Sequence, residues 1–120
     1  LDVDSIGFCS EEVVAEIKKR VPLMQEWKGG TDIPTNSQLY RIYIDLYLRQ
    51  HPFVAQKLDL IVAQREHGQF GVPIEVYFFL TEKVWRKYED IQSDIFDHLI
   101  AMAPEFRLHL FQRPSQPRSS

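Results

Sequence analysis

Within the segment IQSDIFDHLIAMAPEF, running from Ile91 to Phe106, Asp94, Asp97 and His98 fall inside about one helical turn. Two carboxylates and an imidazole this close could share a cation or pass a proton. Asp94 and His98 stand at i and i+4, so on a helix they share a face. A metal site, however, needs three or four converging ligands, and the segment has neither a Glu-x-x-His nor a His-x-x-x-His pair. Ile95 and Leu99 flank the polar groups as part of an apolar stripe, which puts Asp97 on the opposite, wet side with Asp94 toward it. The group is expected to be the solvated side of a structural helix.

The other reactive residue types give no stronger pattern. Cys9 sits beside Ser10, Glu11 and Glu12, and carboxylates raise a thiol pKa rather than activate the sulfur. No G-x-S-x-G, Walker A or G-x-G-x-x-G motif occurs, and GQFG reads as a turn. His51 falls at a helix end, His67 in a loop and His109 on a strand face. Tyr40, Tyr43 and Tyr47 with Arg41 could suggest base stacking, but RNA platforms carry their aromatics on strands in basic surroundings. Packing in a core or an interface is the expected role of these tyrosines. No catalytic, cofactor-binding or metal-ligating residue is assigned, no cofactor is implied, and the chain reads as a module rather than an enzyme.

Bulk properties point the same way. A chain of 120 residues supports one core. Hydrophobic residues make up 44% and charged residues 26%, a globular balance. A net charge of −3 gives no electrostatic footprint for nucleic acid or an anionic membrane. The single cysteine forms no internal disulfide, which fits a reducing compartment. No apolar run approaches the roughly 20 residues of a spanning helix, and no signal peptide is visible. The start at Leu1, without an initiating Met, is read as the edge of a piece cut from something longer.

The elements that must position these residues follow from caps and periodicity. An extended stretch leads to a first helix with Ser10 as N-cap, Glu11 and Glu12 in its first turn and Lys18, Lys19 and Arg20 in its last. Pro22 ends or kinks it, and KGGTDIPTN is a connector. TNSQ is a capping-box pattern that opens a second helix near Thr35, running to about Gln50 and stopping at His51–Pro52. Its apolar face is Leu39, Ile42, Tyr43, Leu46 and Tyr47, widened by Ile44 and Leu48, so it should be covered on more than one side. Arg41, Asp45 and Arg49 form a polar stripe.

LDLIVAQRE and VPIEVYFFL alternate as two strands joined by HGQFG. A third helix is expected from Glu82 to Ala103, capped by Thr81, with Trp85, Tyr88, Ile91, Ile95, Leu99 and Met102 as one stripe. FRLHLFQ follows as a last strand, before the polar tail RPSQPRSS. The order is that of an α+β fold: a split β-α-β, ferredoxin-like sandwich with helices on one face of a mainly antiparallel sheet.

Several segments carry a family resemblance. They are Thr35–Asn36, Tyr47–Leu48–Arg49 with His51–Pro52, VPIEVY, and the run YEDIQSDIFDHL followed by PEFRLHLFQ. The chain resembles the C-terminal cytoplasmic α/β domain of MscS-like mechanosensitive ion channels, most closely the miniconductance branch. The resemblance covers about two thirds of the chain, with residues 1–34 resembling the approach to that domain more loosely. It implies a connecting segment over 1–34, the domain over 35–112 and a flexible tail over 113–120. It also implies an upstream transmembrane region and pore, and a hollow homo-oligomeric vestibule with portals, a heptamer in the best-described members. The location implied is the cytoplasmic face of a bacterial inner membrane, and the activity is opening under membrane tension to release ions and solutes in hypoosmotic shock. After Gln112 the sequence departs from members that carry a further oligomerising strand. Subunit contacts are expected from exposed aromatics such as Tyr77, Phe79 or Trp27, and the isolated piece should associate weakly. The competing reading is a ligand-sensing regulatory α+β domain, whose mark would be a pocket lined by convergent polar groups.

Overall fold

The computed structural model describes residues 1–30, 32–69 and 71–110. Among the described residues, three α-helices and one antiparallel hairpin form an α+β fold. A 3-10 turn at Val3–Ser5 precedes α1 (Glu11–Arg20), a 3-10 segment Pro22–Glu26 and α2 (Asn36–Gln50). Then come β1 (Ile61–Gln64), β2 (Ile74–Tyr77), α3 (Trp85–Met102) and a 3-10 segment Ala103–Phe106.

The first two helices begin where their side chains say they should. The Ser10 hydroxyl accepts from Val13 N at 3.3 Å, and the Thr35 hydroxyl accepts from Gln38 N at 3.1 Å, each satisfying a donor that a helix start leaves free. Ile17, Val21 and Met24 bury the inner side of α1 and the turn after it. On α2 the buried apolar set is Leu39, Tyr40, Tyr43, Ile44 and Leu48, spread over more than one face, so the helix packs on β1 and on the 3-10 segments Pro22–Glu26 and Ala103–Phe106, and bonds to α3 through Tyr40 and Tyr43.

In the hairpin Ile61 pairs with Tyr77, Val62 with Val76, Ala63 with Glu75 and Gln64 with Ile74. Because side chains alternate, Val62, Ile74 and Val76 face the core, whereas Ile61, Glu75 and Tyr77 face away. Gly68 and Gly71 close the turn with hydrogen bonds in both directions, and Gly71 has φ 85°, a conformation favouring glycine. Further backbone contacts flank the hairpin. Val54 opposes Leu80, and the Leu1 and Val72 backbones exchange hydrogen bonds, each at 2.7 Å.

Several expected details differ. The third helix starts at Trp85 rather than Glu82, and Thr81 is not its cap. Thr81 N and its hydroxyl both donate to the Phe53 carbonyl, at 2.9 and 3.3 Å, which fixes Thr81 in the strand-like pairing beside Val54. The Glu82 carboxylate accepts from Lys83 N and Val84 N in the turn before the helix, which holds the carboxyl below its usual pKa range. Trp85 also leaves the stripe: it is 74% exposed and stacks on Tyr88 at 6.0 Å instead of reaching the core. The stripe is buried only at Ile95 and Leu99.

The segment expected as a last strand begins with Phe106 inside a 3-10 segment and Arg107 at φ 60°. Residues 107–110 form no ladder, and the remainder of that expected strand, Phe111 and Gln112, lies outside the described residues, as does the tail. Helix-end bonds claim its first amides: Arg107 N donates to Pro104 O at 2.9 Å and Leu108 N to Ala103 O at 3.2 Å. The segment still buries Phe106 and Leu108 completely, beside Met24, Leu39, Ile44, Leu48 and Ile95 at the centre of the molecule.

Candidate functional site

Asp94 and Asp97 lie on the exposed side of α3, but His98 does not share their surroundings. His98 is half-buried and turned toward α2. Its Nε2 is 2.5 Å from the Tyr43 hydroxyl, and its ring stacks on Tyr47 with centroids 4.3 Å apart and planes 17° from parallel. His51, the C-cap of α2, meets Tyr47 from another side at 5.7 Å in an edge arrangement. His51 Nδ1 accepts from Phe53 N at 3.1 Å, which fixes that ring at the helix end. Tyr43 also packs on Phe106, at 5.5 Å. Tyr43, Tyr47 and His51 follow one another at intervals of four along the chain, a spacing visible in the sequence, where the tyrosines read as core or interface packing and His51 as a helix end.

The electrostatics of this stack follow from burial. Desolvation pushes the Tyr43 hydroxyl up to about 12, with the neighbouring Tyr47 adding to it, and Tyr40 likewise to about 12. Tyr47 is raised by burial and then by the Asp94 charge. Both imidazoles are lowered by burial, and His51 further by His98. His67 and His109 are exposed. Among the described residues no three His, Cys, Asp or Glu side chains gather closely enough to hold a metal ion.

Cys9 is 4% exposed, and burial pushes its thiol up against an opposing pull from Arg107. It backs an open cavity of about 460 Å³ beside α1, whose polar lining includes Ser10, Glu11, Lys18 and Asp32. Lys18 Nζ donates to the Trp27 carbonyl at 2.7 Å and stands 5.3 Å over the Trp27 ring. Trp27 is therefore half-buried under a lysine, unlike the free contact aromatic expected of it.

The outward face of the hairpin is different. Tyr77 is 45% exposed and Phe79 38%, with rings 5.2 Å apart in an edge arrangement. Ile61 stands opposite Tyr77 on the same exposed face. Among the described residues no helix is long and apolar enough to cross a membrane. The family described as Mechanosensitive ion channel MscS, C-terminal matches residues 2–110. No solved structure matches the chain.

Proposed function

The chain belongs to the family of C-terminal domains of MscS mechanosensitive ion channels, and from that premise we propose that it forms part of the wall of a cytoplasmic vestibule. The parent protein is a homo-oligomer, of seven subunits by analogy with the family's best-described members, in the bacterial inner membrane. An upstream transmembrane region of the same chain carries the pore. The channel opens under membrane tension and releases ions and solutes in hypoosmotic shock, and the sequence runs that prompted the resemblance favour the miniconductance branch. Residues 1–34 connect this domain to the upstream region while lending Ile17, Val21 and Met24 to its core, residues 35–112 form the domain, and 113–120 are a tail. The domain performs no catalysis of its own and carries no cofactor.

The observation that supports this reading best is the span of the family match, residues 2–110 of 120. It is tested by recording from the full-length protein reconstituted in liposome patches. Suction-activated currents are expected, and correctly inserted protein that stays silent up to patch rupture would overturn the reading.

A ligand-sensing domain is the second reading, favoured by the cavity beside α1. Its volume of about 460 Å³ lies within the range of small-molecule sites, and Lys18, Glu11 and Asp32 line it together. Lys18→Ala leaves channel gating unchanged on the first reading and alters it on the second.

A further inference from the structure

Among the described residues, two side-chain hydrogen bonds join α2 to α3: Tyr40 to the Leu99 carbonyl, and Tyr43 to His98. The first cannot titrate near neutral pH. The second ends on an imidazole, and that imidazole is stacked on a ring that a second histidine also touches.

The Tyr43 hydroxyl belongs to a buried residue and has no other hydrogen-bond partner among the described residues. The arrangement that satisfies it has Tyr43 donating to an unprotonated Nε2, with the ring proton of His98 on Nδ1. A proton added to His98 must then go to Nε2. The new N–H points at the Tyr43 oxygen, and the hydroxyl proton is turned away from its acceptor. A buried donor left without a partner is costly. A second proton on His51 would place two like charges around the single Tyr47 ring, and repulsion between them adds to the first effect.

We propose that the Tyr43–His98–Tyr47–His51 stack is an acid-sensitive latch between α2 and α3, closed while both imidazoles are neutral and loosened when they take up protons. The charged groups around it do not remove the effect. On α3, Asp94 and Asp97 are exposed to water, which screens their attraction for an imidazolium. On α2, Asp45 is paired with Arg49 at 2.9 Å. On the 3-10 segment after α3, Glu105 is paired with Arg20 at 2.7 Å. The Tyr47 face attracts an imidazolium, an opposing contribution, yet desolvation holds both histidines below their usual pKa. A base lowered by folding binds its proton more readily in the loosened state. The latch is therefore fully formed above the ordinary histidine value and weakens as pH falls through it.

The test is an NMR titration of the histidine ring resonances in the 120-residue chain, with urea midpoints measured at pH 7.5 and 5.5. His98 should titrate below the ordinary histidine value of about 6.5, and the Tyr43 and Tyr47 ring signals should move with it. The urea midpoint should fall between the two pH values, and fall less in His98→Gln, whose amide oxygen can still accept from Tyr43 without titrating. His98 titrating at or above that ordinary value, or an undiminished fall in His98→Gln, would overturn the latch. If that variant does not fold, Tyr43→Phe decides: the His98 midpoint should rise toward the ordinary histidine value, and an unmoved midpoint would overturn the proposal. Any consequence for gating rests on the proposed function, whereas the titration of this chain does not, so the two can fail separately.

Discussion

The Asn36 side-chain oxygen accepts a hydrogen bond from the Gly7 amide at 3.0 Å, joining residues 29 apart in the chain. Asn36 N returns a bond to the Gly7 carbonyl at 2.9 Å, and its Nδ2 donates to the Ser5 carbonyl at 2.8 Å and to the Arg107 carbonyl at 3.4 Å. The first residue of α2 thus holds the entering chain and the segment after α3 at one point, in a position only 5% exposed. Asn36→Ala leaves the Gly7 amide and the Ser5 carbonyl without these partners, and should cost about 2 kcal/mol or more in urea denaturation. A loss under about 0.5 kcal/mol, typical of surface changes, would show that this junction contributes little.

Leu99 and Asp97 lie two residues apart on α3 and should differ widely in effect. Leu99 is buried against the core, so Leu99→Ala should destabilise by about 2–5 kcal/mol. Asp97 is exposed, and Asp97→Asn should stay within about 0.5 kcal/mol. The reverse order in denaturation would contradict the orientation of α3.

The two tryptophans should report opposite surroundings. In Trp27→Phe the remaining Trp85 should fluoresce at long wavelength and be strongly quenched by acrylamide. In Trp85→Phe the remaining Trp27, under Lys18, should be the better protected. Equal quenching would mean that Trp85 reaches the core after all.

The Cys9 thiol is both buried and raised in pKa, so little of it is thiolate at neutral pH and less is accessible. A disulfide reagent should label the native chain many-fold more slowly than the chain in urea. Comparable rates would place Cys9 at the surface.

Association should be weak in the isolated chain. In the proposed homo-oligomer, neighbours would be tethered by membrane-embedded helices at an effective concentration in the millimolar range, so their contacts would not need to be strong alone. Sedimentation over about a hundredfold concentration range should show monomer or a weak, concentration-dependent oligomer. Tyr77→Ser with Phe79→Ser should reduce any association, because these rings form the exposed face of the hairpin. One tight oligomer at every concentration would mean that the domain assembles without tethering.

What the sequence determined by itself was local chemistry and periodicity. Ser10 and Thr35 start their helices by bonding amides three residues ahead, and that needs nothing distant. Alternation separated Val62, Ile74 and Val76 from Ile61 and Tyr77, because strand geometry alone sets those faces. The α+β class and the family also followed from residues that can be read in order. Tertiary structure decided wherever a residue's partner comes from another part of the chain. Thr81 has the hydroxyl of an N-cap, yet Phe53 claims it. Trp85 continues the stripe in phase, but stacks on Tyr88 in solvent rather than reaching the core. FRLHL alternates like a strand, while its first amides close the end of α3 and Asp2 and Ser5 bond its His109. His98, next to Asp97, meets Tyr43 and Tyr47 because the tertiary fold brings that turn of α3 up to α2. Spacing fixes which side chains share a face, and only packing fixes what that face meets.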